Sequence, residues 1–251
     1  MDIQVTRAEL DQVLPLKDRY REEAGCQVVR DSLLWRGLAE PWLVRVEGHV
    51  AGYGALGATH APGRVIEFHL LPRFRRDTLR VASAFIRASG ADAVEAQTNI
   101  PGMVDLLYSF ARAVQEEYIL FDDGNGPRPT GDTLRLPEGS LRPRAGGDTG
   151  PEGEWVVEWN GRVVGAGGIQ THYNPPFADV HMEVVEEVRG QGIGGWMVQE
   201  LARVCREQGS VPAARCEPGN HASRRALERG GLRPCGRLLS GTVAPELLRN
   251  P

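Results

Sequence analysis

The sequence predicts an α/β fold with a mixed sheet, built as two similar units in tandem. Three observations lead to this prediction: strand-like apolar runs alternate with amphipathic helical runs, a hairpin pattern occurs twice, and a glycine-rich turn joins a strand to a helix in the second half. The chain has 251 residues, of which 41% are hydrophobic. It is therefore long enough to bury a substantial core, as one large domain or two small ones.

Composition narrows the class of protein. A net charge of −4 argues against generic nucleic-acid binding, which needs a basic footprint. No apolar run approaches membrane-spanning length, and residues 1–4 lack a basic-then-apolar signal pattern, so we expect a cytoplasmic protein without a membrane partner. The cysteines show no metal-binding spacing, so we expect no metal and reduced, mostly buried thiols. They are Cys26, Cys205, Cys216 and Cys235.

The first elements in chain order are a helix and a hairpin. Residues 10–24 place Leu10, Val13, Leu14 and Leu16 on one apolar face, with charged residues from Lys17 onward beyond it, which is typical of an amphipathic helix. A second short helix is predicted for residues 32–38. Residues 42–56 then read as two strands about a Glu-Gly turn.

The remainder of the first half alternates between strand and helix. Residues 65–70 and 93–97 are predicted strands, and residues 77–88 are a predicted helix. A further helix is predicted over residues 100–114, with Asn99 at its start.

The hairpin pattern returns at residues 155–169, with Asn-Gly at the turn. Matching residues of the two hairpins are separated by the same 113 positions. They are Trp42 with Trp155, Gly48 with Gly161, Gly52 with Gly165, and Gly54 with Gly167. A fixed register over four matches indicates duplication.

The two units are joined by a stretch rich in Gly, Pro, Asp and Arg. This composition is typical of a linker. We therefore predict a first domain over residues 1–121, a linker over 122–153 and a second domain over 154–251.

The second unit places titratable residues along one strand. In residues 178–185, a period of two sends Asp179, His181 and Glu183 to the same face. Residues 211–216 are predicted to form the next strand, and residues 232–243 the closing strands.

A glycine cluster follows that first strand. Gly190, Gly192 and Gly194 carry no Cβ, so successive backbone N–H groups can close around an anion at the mouth of the helix that follows. The residues that predict this helix are Trp196, Met197, Leu201, Val204 and Cys205. The segment does not match a P-loop, because no Lys-Ser/Thr follows the glycines. It does not match a dinucleotide-binding fingerprint either, because the third glycine of that motif is absent.

What remains, Arg189-x-x-Gly192-x-Gly194 after an apolar strand, resembles the acetyl-CoA loop of the GNAT N-acetyltransferase superfamily. A second segment, from Asn220 through Ser223 to Gly230-Gly231-Leu232, is similar to the other GNAT signature, an asparagine that opens a short helix. The resemblance covers residues 155–243. For residues 1–121 it is inferred from the repeat.

The resemblance implies that acetyl-CoA is the co-substrate, and it assigns binding residues. Backbone amides of the loop would hold the pyrophosphate, over Arg189, Gly190, Gln191, Gly192, Ile193, Gly194 and Gly195. Pantetheine would lie along Met182, Glu183 and Val184, with Asn220 and Ser223 beside it.

The resemblance also implies direct attack of an amine on the thioester. Glu183 and His181 are the favoured bases, with Asp179 a third candidate. The family's proton donor is a tyrosine seven positions after the motif asparagine, where this chain has Leu227. Tyr173 is a candidate substitute for that tyrosine.

The first unit lacks such a loop. Residues 72–78 put Pro72 and three arginines where the second unit has glycines, so we expect a degenerate GNAT-like unit. The linker cannot supply the two helices that wall the family's acceptor pocket, so we expect the first unit to supply that wall. The acceptor would be a small-molecule or peptide amine, and the protein a monomer or homodimer. A non-catalytic acyl-CoA binding or sensing protein and an interaction scaffold are the alternatives.

Overall fold

The computed structural model describes residues 1–23, 32–59, 61–123 and 133–248, with the side chains of residues 172–174 excepted. The chain divides into two compact units. The first comprises residues 1–118 and 236–251, and the second residues 119–235.

The described residues form five α-helices and twelve strands. In the first half they are β1 (Ile3–Arg7), α1 (Leu10–Glu23), β2 (Ala39–Val46), β3 (His49–Gly57), β4 (Arg64–Leu70), α2 (Thr78–Ser89), β5 (Ala93–Gln97), α3 (Pro101–Phe110) and β6 (Ala111–Asp122). In the second half they are β7 (Gly139–Pro143), β8 (Trp155–Trp159), β9 (Arg162–Asn174), β10 (Phe177–Val184), α4 (Ile193–Glu207), β11 (Val211–Cys216), α5 (His221–Arg229) and β12 (Arg233–Val243). Short 3-10 turns follow β4 at Pro72–Asp77 and β10 at Glu186–Val188.

The sheet of the first unit is mixed. Its strands lie in the order β1-β2-β3-β4-β5-β12-β6. Strands β4 and β5 are parallel, whereas β5 pairs antiparallel with β12, where Leu238 is opposite Gln97. The first unit therefore takes one of its strands from the far end of the sequence.

The second unit has the same arrangement. Its order is β6-β11-β10-β9-β8-β7, with β10 and β11 parallel and the end of β6 antiparallel to β11. This unit therefore takes a strand from the first half of the chain. The predicted domain boundaries lie at residues 121 and 154, whereas the structure groups residues 119–121 with the second unit and 236–251 with the first.

The predicted mixed α/β architecture and both hairpins are confirmed. The pairs β2–β3 and β8–β9 flank the predicted Glu-Gly and Asn-Gly turns. All five apolar residues that predict the helix after the glycine cluster are buried in α4, and Met197, Leu201 and Cys205 are fully enclosed.

Two helix predictions in the first half need correction. Residues 32–38 form turns that end at Gly37, whose φ is 65°. A segment this short gains too few helical hydrogen bonds to nucleate a helix. The predicted helix over 100–114 ends at Phe110, because residues from Ala111 onward join the sheet as β6. Its N-cap is Ile100, with Pro101 at the first helical position, rather than Asn99.

The predicted linker contains an edge strand. Strand β7 pairs with β8 from Gly139 opposite Trp159 to Pro143 opposite Trp155. The Arg142 side chain donates to both carboxylate oxygens of Asp148, at 2.7 and 2.8 Å, and these bonds hold the pKa of Asp148 well below its usual range. In the described part of the linker, residues 133–153, the structure has no helix. Residues 124–132 lie outside the described residues.

Helix α1 runs as predicted to Glu23, and Ala24 lies outside the described residues. Its predicted charged face is wrong at one position, because Lys17 is fully buried. The Lys17 ammonium lies 2.7 Å from Oε1 of Glu67 on β4, and the Tyr53 hydroxyl donates to Oε2 of Glu67, also at 2.7 Å. A buried carboxylate partner, which helical spacing cannot reveal, accounts for the difference.

Three of the four cysteines lie among the described residues. Cys205 and Cys216 are buried and Cys235 is partly exposed, while Cys26 lies outside the described residues. No helix in the described part of the chain combines the length and apolarity that crossing a bilayer requires. No group of three or more His, Cys, Asp or Glu side chains within the same residues is arranged to hold a metal ion.

Candidate active site

The glycine cluster forms an uncapped helix start. Gly190 and Gly192 have φ values of 82° and 88°, in the left-handed region that favours glycine. Gly192 is the N-cap of α4 and, as a glycine, has no side chain to cap the helix. The N–H groups of Ile193, Gly194 and Gly195 therefore begin the helix without partners from the α-helical ladder. Together with the helix dipole, they make this turn favourable for an anion.

Gly194 and Gly195 lie close to the next helix. A Cβ on Gly194 would lie 3.4 Å from the Cβ of Ala226, and one on Gly195 would lie 3.1 Å from the Cβ of Arg229. Both neighbours belong to α5, so these glycines allow α4 and α5 to approach closely. The loop and α5 consequently line one continuous cavity.

Arg189 fixes the loop to the strand that precedes it. Its Nε donates to the carbonyl oxygen of Val184, the last residue of β10, at 2.9 Å. Arg189 also lines the cavity. One side chain thus closes the turn and adds a positive charge beside the helix start.

Strands β10 and β11 separate next to this turn. They pair from Phe177 opposite Val211 to Asp179 opposite Ala213, and the pairing goes no further. Residues 180–184 continue to pair with β9 on their other side. Main-chain groups on the β11 side of this segment therefore have no partner from that neighbouring strand and can bind an extended ligand.

The cavity bounded by these elements has a volume of about 650 Å³. It brings together eleven of the twelve residues predicted to bind the co-substrate: Met182, Glu183, Val184, Arg189, Gly190, Gly192, Ile193, Gly194, Gly195, Asn220 and Ser223. Gln191 lies in the same loop but does not line the cavity.

Asn220 is the N-cap of α5, as the sequence predicts. Its Oδ1 accepts a hydrogen bond from the backbone N–H of Ser223 at 3.0 Å. The cap orients the first turn of α5, and both residues of this bond line the cavity. The amide oxygen of Asn220 is therefore already used in the protein, which leaves its Nδ2 group as the donor available for a ligand.

Sequence reasoning missed five lining residues. They are Val188, Ala222, Arg225, Ala226 and Arg229. The last four follow the helical spacing i, i+3, i+4 and i+7 on α5, so extending that helix from Asn220 would have found them.

The charge of the cavity lining is mainly positive. Three arginines, Arg189, Arg225 and Arg229, line it, against one carboxylate, that of Glu183. Within the described residues, Arg225 and Arg229 have no ion pair. Guanidinium groups suit phosphates because their N–H groups form paired, charge-assisted hydrogen bonds.

The three titratable residues of β10 have different environments. Glu183 and His181 are exposed, and Glu183 lines the cavity. Asp179 is buried and pairs with Arg215 at 2.8 Å, and burial raises the pKa of its carboxyl group. Its arginine partner and its burial make Asp179 a less accessible base than the other two.

Leu227 and Tyr173 are the two residues considered for the role of proton donor. Leu227 is 3% exposed and packs in an apolar cluster with Phe121 and Val198, so it contributes no donor. The side chain of Tyr173 lies outside the described residues.

The first unit has a similar strand, turn and helix without the glycines. Arg75 lies 114 positions before Arg189, and its Nε likewise donates to the last carbonyl of the preceding strand, that of Leu70, at 2.9 Å. At the positions of Gly190 and Gly192 this unit has Arg76 and Thr78. Thr78 has a φ of −49°, so its turn lacks the left-handed N-cap seen in the second unit.

Comparisons with known proteins agree with this geometry. Residues 119–231 match the model of the acetyltransferase (GNAT) family. A search of curated proteins gave no match.

Three solved structures are similar over nearly their whole length. An acetyltransferase of the GNAT family from Colwellia psychrerythraea covers 97% of this chain and 100% of its own, at 15% identity and a TM-score of 0.72. A tandem GNAT protein from the clavulanic acid biosynthesis pathway covers 97% and 99%, at 14% identity and a TM-score of 0.58. A GCN5-related N-acetyltransferase from Sphaerobacter thermophilus covers 97% and 96%, at 14% identity and a TM-score of 0.60. At these identities the likeness concerns the fold.

Proposed function

We propose that this chain, in which residues 119–231 match the model of the acetyltransferase (GNAT) family, transfers an acetyl group from acetyl-CoA to an amine. The observation that carries this proposal is the uncapped start of α4 at Gly192, beside Arg189, Arg225 and Arg229. Backbone donors and arginines together suit a molecule with several phosphates.

The residues of the cavity fit coenzyme A in three places. The N–H groups of Ile193, Gly194 and Gly195 would bind the diphosphate. The separated edge of β10 at Met182–Val184 would pair with the amides of pantetheine, assisted by Asn220. Arg225 and Arg229 on α5 would bind the remaining phosphate. Acetyl-CoA supplies the activated thioester when it is bound.

Glu183 and His181 are the proposed bases. An amine is protonated in neutral solution and must lose a proton before it can attack the carbonyl carbon. An exposed carboxylate or imidazole on β10 can accept that proton directly or through water. The thiolate can leave without being protonated by an acid, because a thiol with a pKa of about 8.5 gives a moderately good leaving group at neutral pH. This accounts for catalysis without a tyrosine at Leu227.

Calorimetry and thiol detection test the proposal together. We expect saturable binding of both CoA and acetyl-CoA, and release of free thiol with at least one of the polyamines, amino acids, aminoglycosides or short peptides. The thiol of Cys205 should not react in the thiol assay, because burial raises its pKa to about 11. Binding without thiol release would favour an acyl-CoA binding protein, and no binding at all would contradict the proposal.

We expect Glu183→Gln to lower turnover at neutral pH by ~100-fold, because the amide cannot accept the proton of the amine. His181→Ala should reduce turnover less, since Glu183 lies closer to the cavity. The measurement is the pH dependence of kcat for both variants. The control is Glu187→Gln, an exposed carboxylate outside the cavity, which should behave as wild type. If neither Glu183→Gln nor His181→Ala lowers turnover, the assignment of the base is wrong.

We expect Arg225→Ala and Arg229→Ala each to weaken CoA binding by ~5-fold, or about 1 kcal/mol, and to reduce its salt dependence. Alanine keeps the Cβ that packs between α4 and α5. Arg224→Ala is the matched control, because this neighbour pairs with Glu228 at 2.9 Å and does not line the cavity. Calorimetry at two salt concentrations distinguishes a phosphate contact from a loss of packing. Equal effects at Arg224 and Arg225 would contradict the role of this helix face.

A further inference from the structure

The first unit contains a cavity of its own, of about 270 Å³. It lies at the end of β4 and at the turn that follows, the same place in the strand order as the larger cavity of the second unit. The polar residues that line it include Glu23 from α1, His69 from β4, and Arg75 and Thr78 from the turn. Its apolar wall includes Phe68 and Ile100.

His69 is the unusual group in this cavity. Its side chain is 6% exposed, and within the described residues its Nε2 has no hydrogen-bond partner. Nδ1 lies 3.9 Å from the Glu23 carboxylate, too far for a hydrogen bond. Burial lowers the pKa of His69, and the positive charges of Arg75 and Arg19 lower it further, against an opposing effect of Glu23. The lowered pKa favours the neutral ring, and among the described residues its buried Nε2 is left without a partner, which in a native protein calls for one.

The ring of His69 is held in place by its neighbours. The Tyr20 ring meets it edge-on at 5.9 Å between ring centres, and the Tyr53 ring lies at 6.3 Å. Behind them, Lys17 and Glu67 form a buried ion pair. The charges of that pair are matched to each other and neither residue lines the cavity, so the basic side chains in the lining are those of His69 and Arg75.

Arg75 already forms an ion pair with the carboxylate of Glu23. Its Nη2 donates to both oxygens of Glu23 at 2.6 Å, while its Nε holds the Leu70 carbonyl. The side chains of this pair are 43% and 45% exposed. An ion pair so accessible to water is weak, and another carboxylate can replace Glu23 at little cost.

We infer that the first unit binds a small organic carboxylate, which takes the place of Glu23 on Arg75 and makes a second polar contact with His69. Three observations select this class of ligand. The arginine already pairs with a carboxylate, Phe68 and Ile100 offer an apolar wall that a hydrocarbon group would cover, and the volume is far below the 650 Å³ of the other cavity. Inorganic phosphate would leave the apolar wall uncovered. The turn also lacks the left-handed glycines that favour a diphosphate.

Calorimetry and saturation-transfer NMR with isovalerate and benzoate test the inference on the full chain. We expect both acids to bind, and their neutral amides and inorganic phosphate to bind at least ~10-fold more weakly. Glu23→Gln should tighten binding by ~10-fold because it removes the competing carboxylate. Arg75→Lys should weaken it by ~10-fold, since lysine keeps the charge but loses the planar fork.

Two matched controls locate the site. Arg76→Lys changes the neighbouring residue of the same turn, which does not line the cavity, and should bind as wild type. Arg189→Lys changes the equivalent arginine of the second unit and should leave carboxylate binding intact, as should saturating CoA. The inference is overturned if no acid binds even to Glu23→Gln, if the amides or phosphate bind equally well, or if Arg189→Lys rather than Arg75→Lys removes binding. Unchanged melting curves of the exposed Glu23→Gln variant confirm that the fold is intact.

Discussion

Gly192→Ala is expected to raise the Kd for CoA by ~10- to 100-fold. At a φ of 88°, an alanine carries about 1–2 kcal/mol of backbone strain. Relief of that strain moves the residue out of the left-handed region and turns the N–H groups of Ile193 and Gly194 away from their common focus. Because binding of the diphosphate would depend on these backbone donors, the loss of CoA affinity should be large. Calorimetric titration of the variant with CoA measures it.

Gly209→Ala is the matched control for that substitution. Gly209 has a φ of 79° just beyond the other end of α4, and a Cβ there meets nothing within 4 Å, as at Gly192. Both variants should therefore lose similar stability in thermal unfolding, while only Gly192→Ala should lose CoA affinity. Equal weakening by both would show that general destabilisation of α4, and not the position of its first donors, controls binding.

The glycine loop shows which features of the site can be predicted from local sequence. The missing Cβ atoms of Gly190 and Gly192 allow a tight turn before the helix, and the structure has one, with both glycines in the left-handed region. The same reasoning treats Gly194 as part of the cradle, whereas the structure also gives it a packing role against Ala226. That role depends on which helix lies next to α4. Distances between helices far apart in the sequence are not encoded in a local pattern.

Strand β6 is the clearest failure of local reasoning about the fold. Residues 111–114 continue an apolar pattern compatible with a helix, but their sheet partner is β12, more than a hundred positions away. Strands β6 and β12 approach each other closely at Gly241, where an added Cβ would lie 3.0 Å from the Cβ of Ala111. Pairing between such distant segments overrides the local preference for a helix. Strand β7 was missed for a related reason, because its Gly- and Pro-containing sequence becomes a strand only by pairing with β8.

The charged face predicted for α1 fails in a way that matters for stability. Helical periodicity indicates which residues lie together but not which cation will find a buried carboxylate. Lys17 is enclosed because Glu67, on β4, is 50 positions away in sequence and 2.7 Å away in space. A buried ion pair of this kind is costly to break, since removing one charge leaves the other buried without its counter-charge.

Lys17→Met is accordingly expected to lower the free energy of unfolding by about 3–5 kcal/mol, the largest stability effect we predict for this chain. Methionine fills a similar volume, so the cost comes mainly from the Glu67 carboxylate, whose side chain is only 3% exposed and would lose its counter-charge while the Tyr53 hydroxyl still donates to it. Urea unfolding followed by circular dichroism measures the change.

The second variant, Lys17→Met with Glu67→Gln, separates charge from packing. A neutral glutamine still accepts from the Tyr53 hydroxyl and needs no counter-charge, so the double variant should recover a large part of the loss. Arg203→Met provides the surface comparison: Arg203 is 52% exposed and pairs with Glu200 and Glu207, so its loss should cost at most about 1 kcal/mol. If Lys17→Met costs no more than Arg203→Met, or if the double variant is the least stable of all, the buried pair is not what stabilises the contact between α1 and β4.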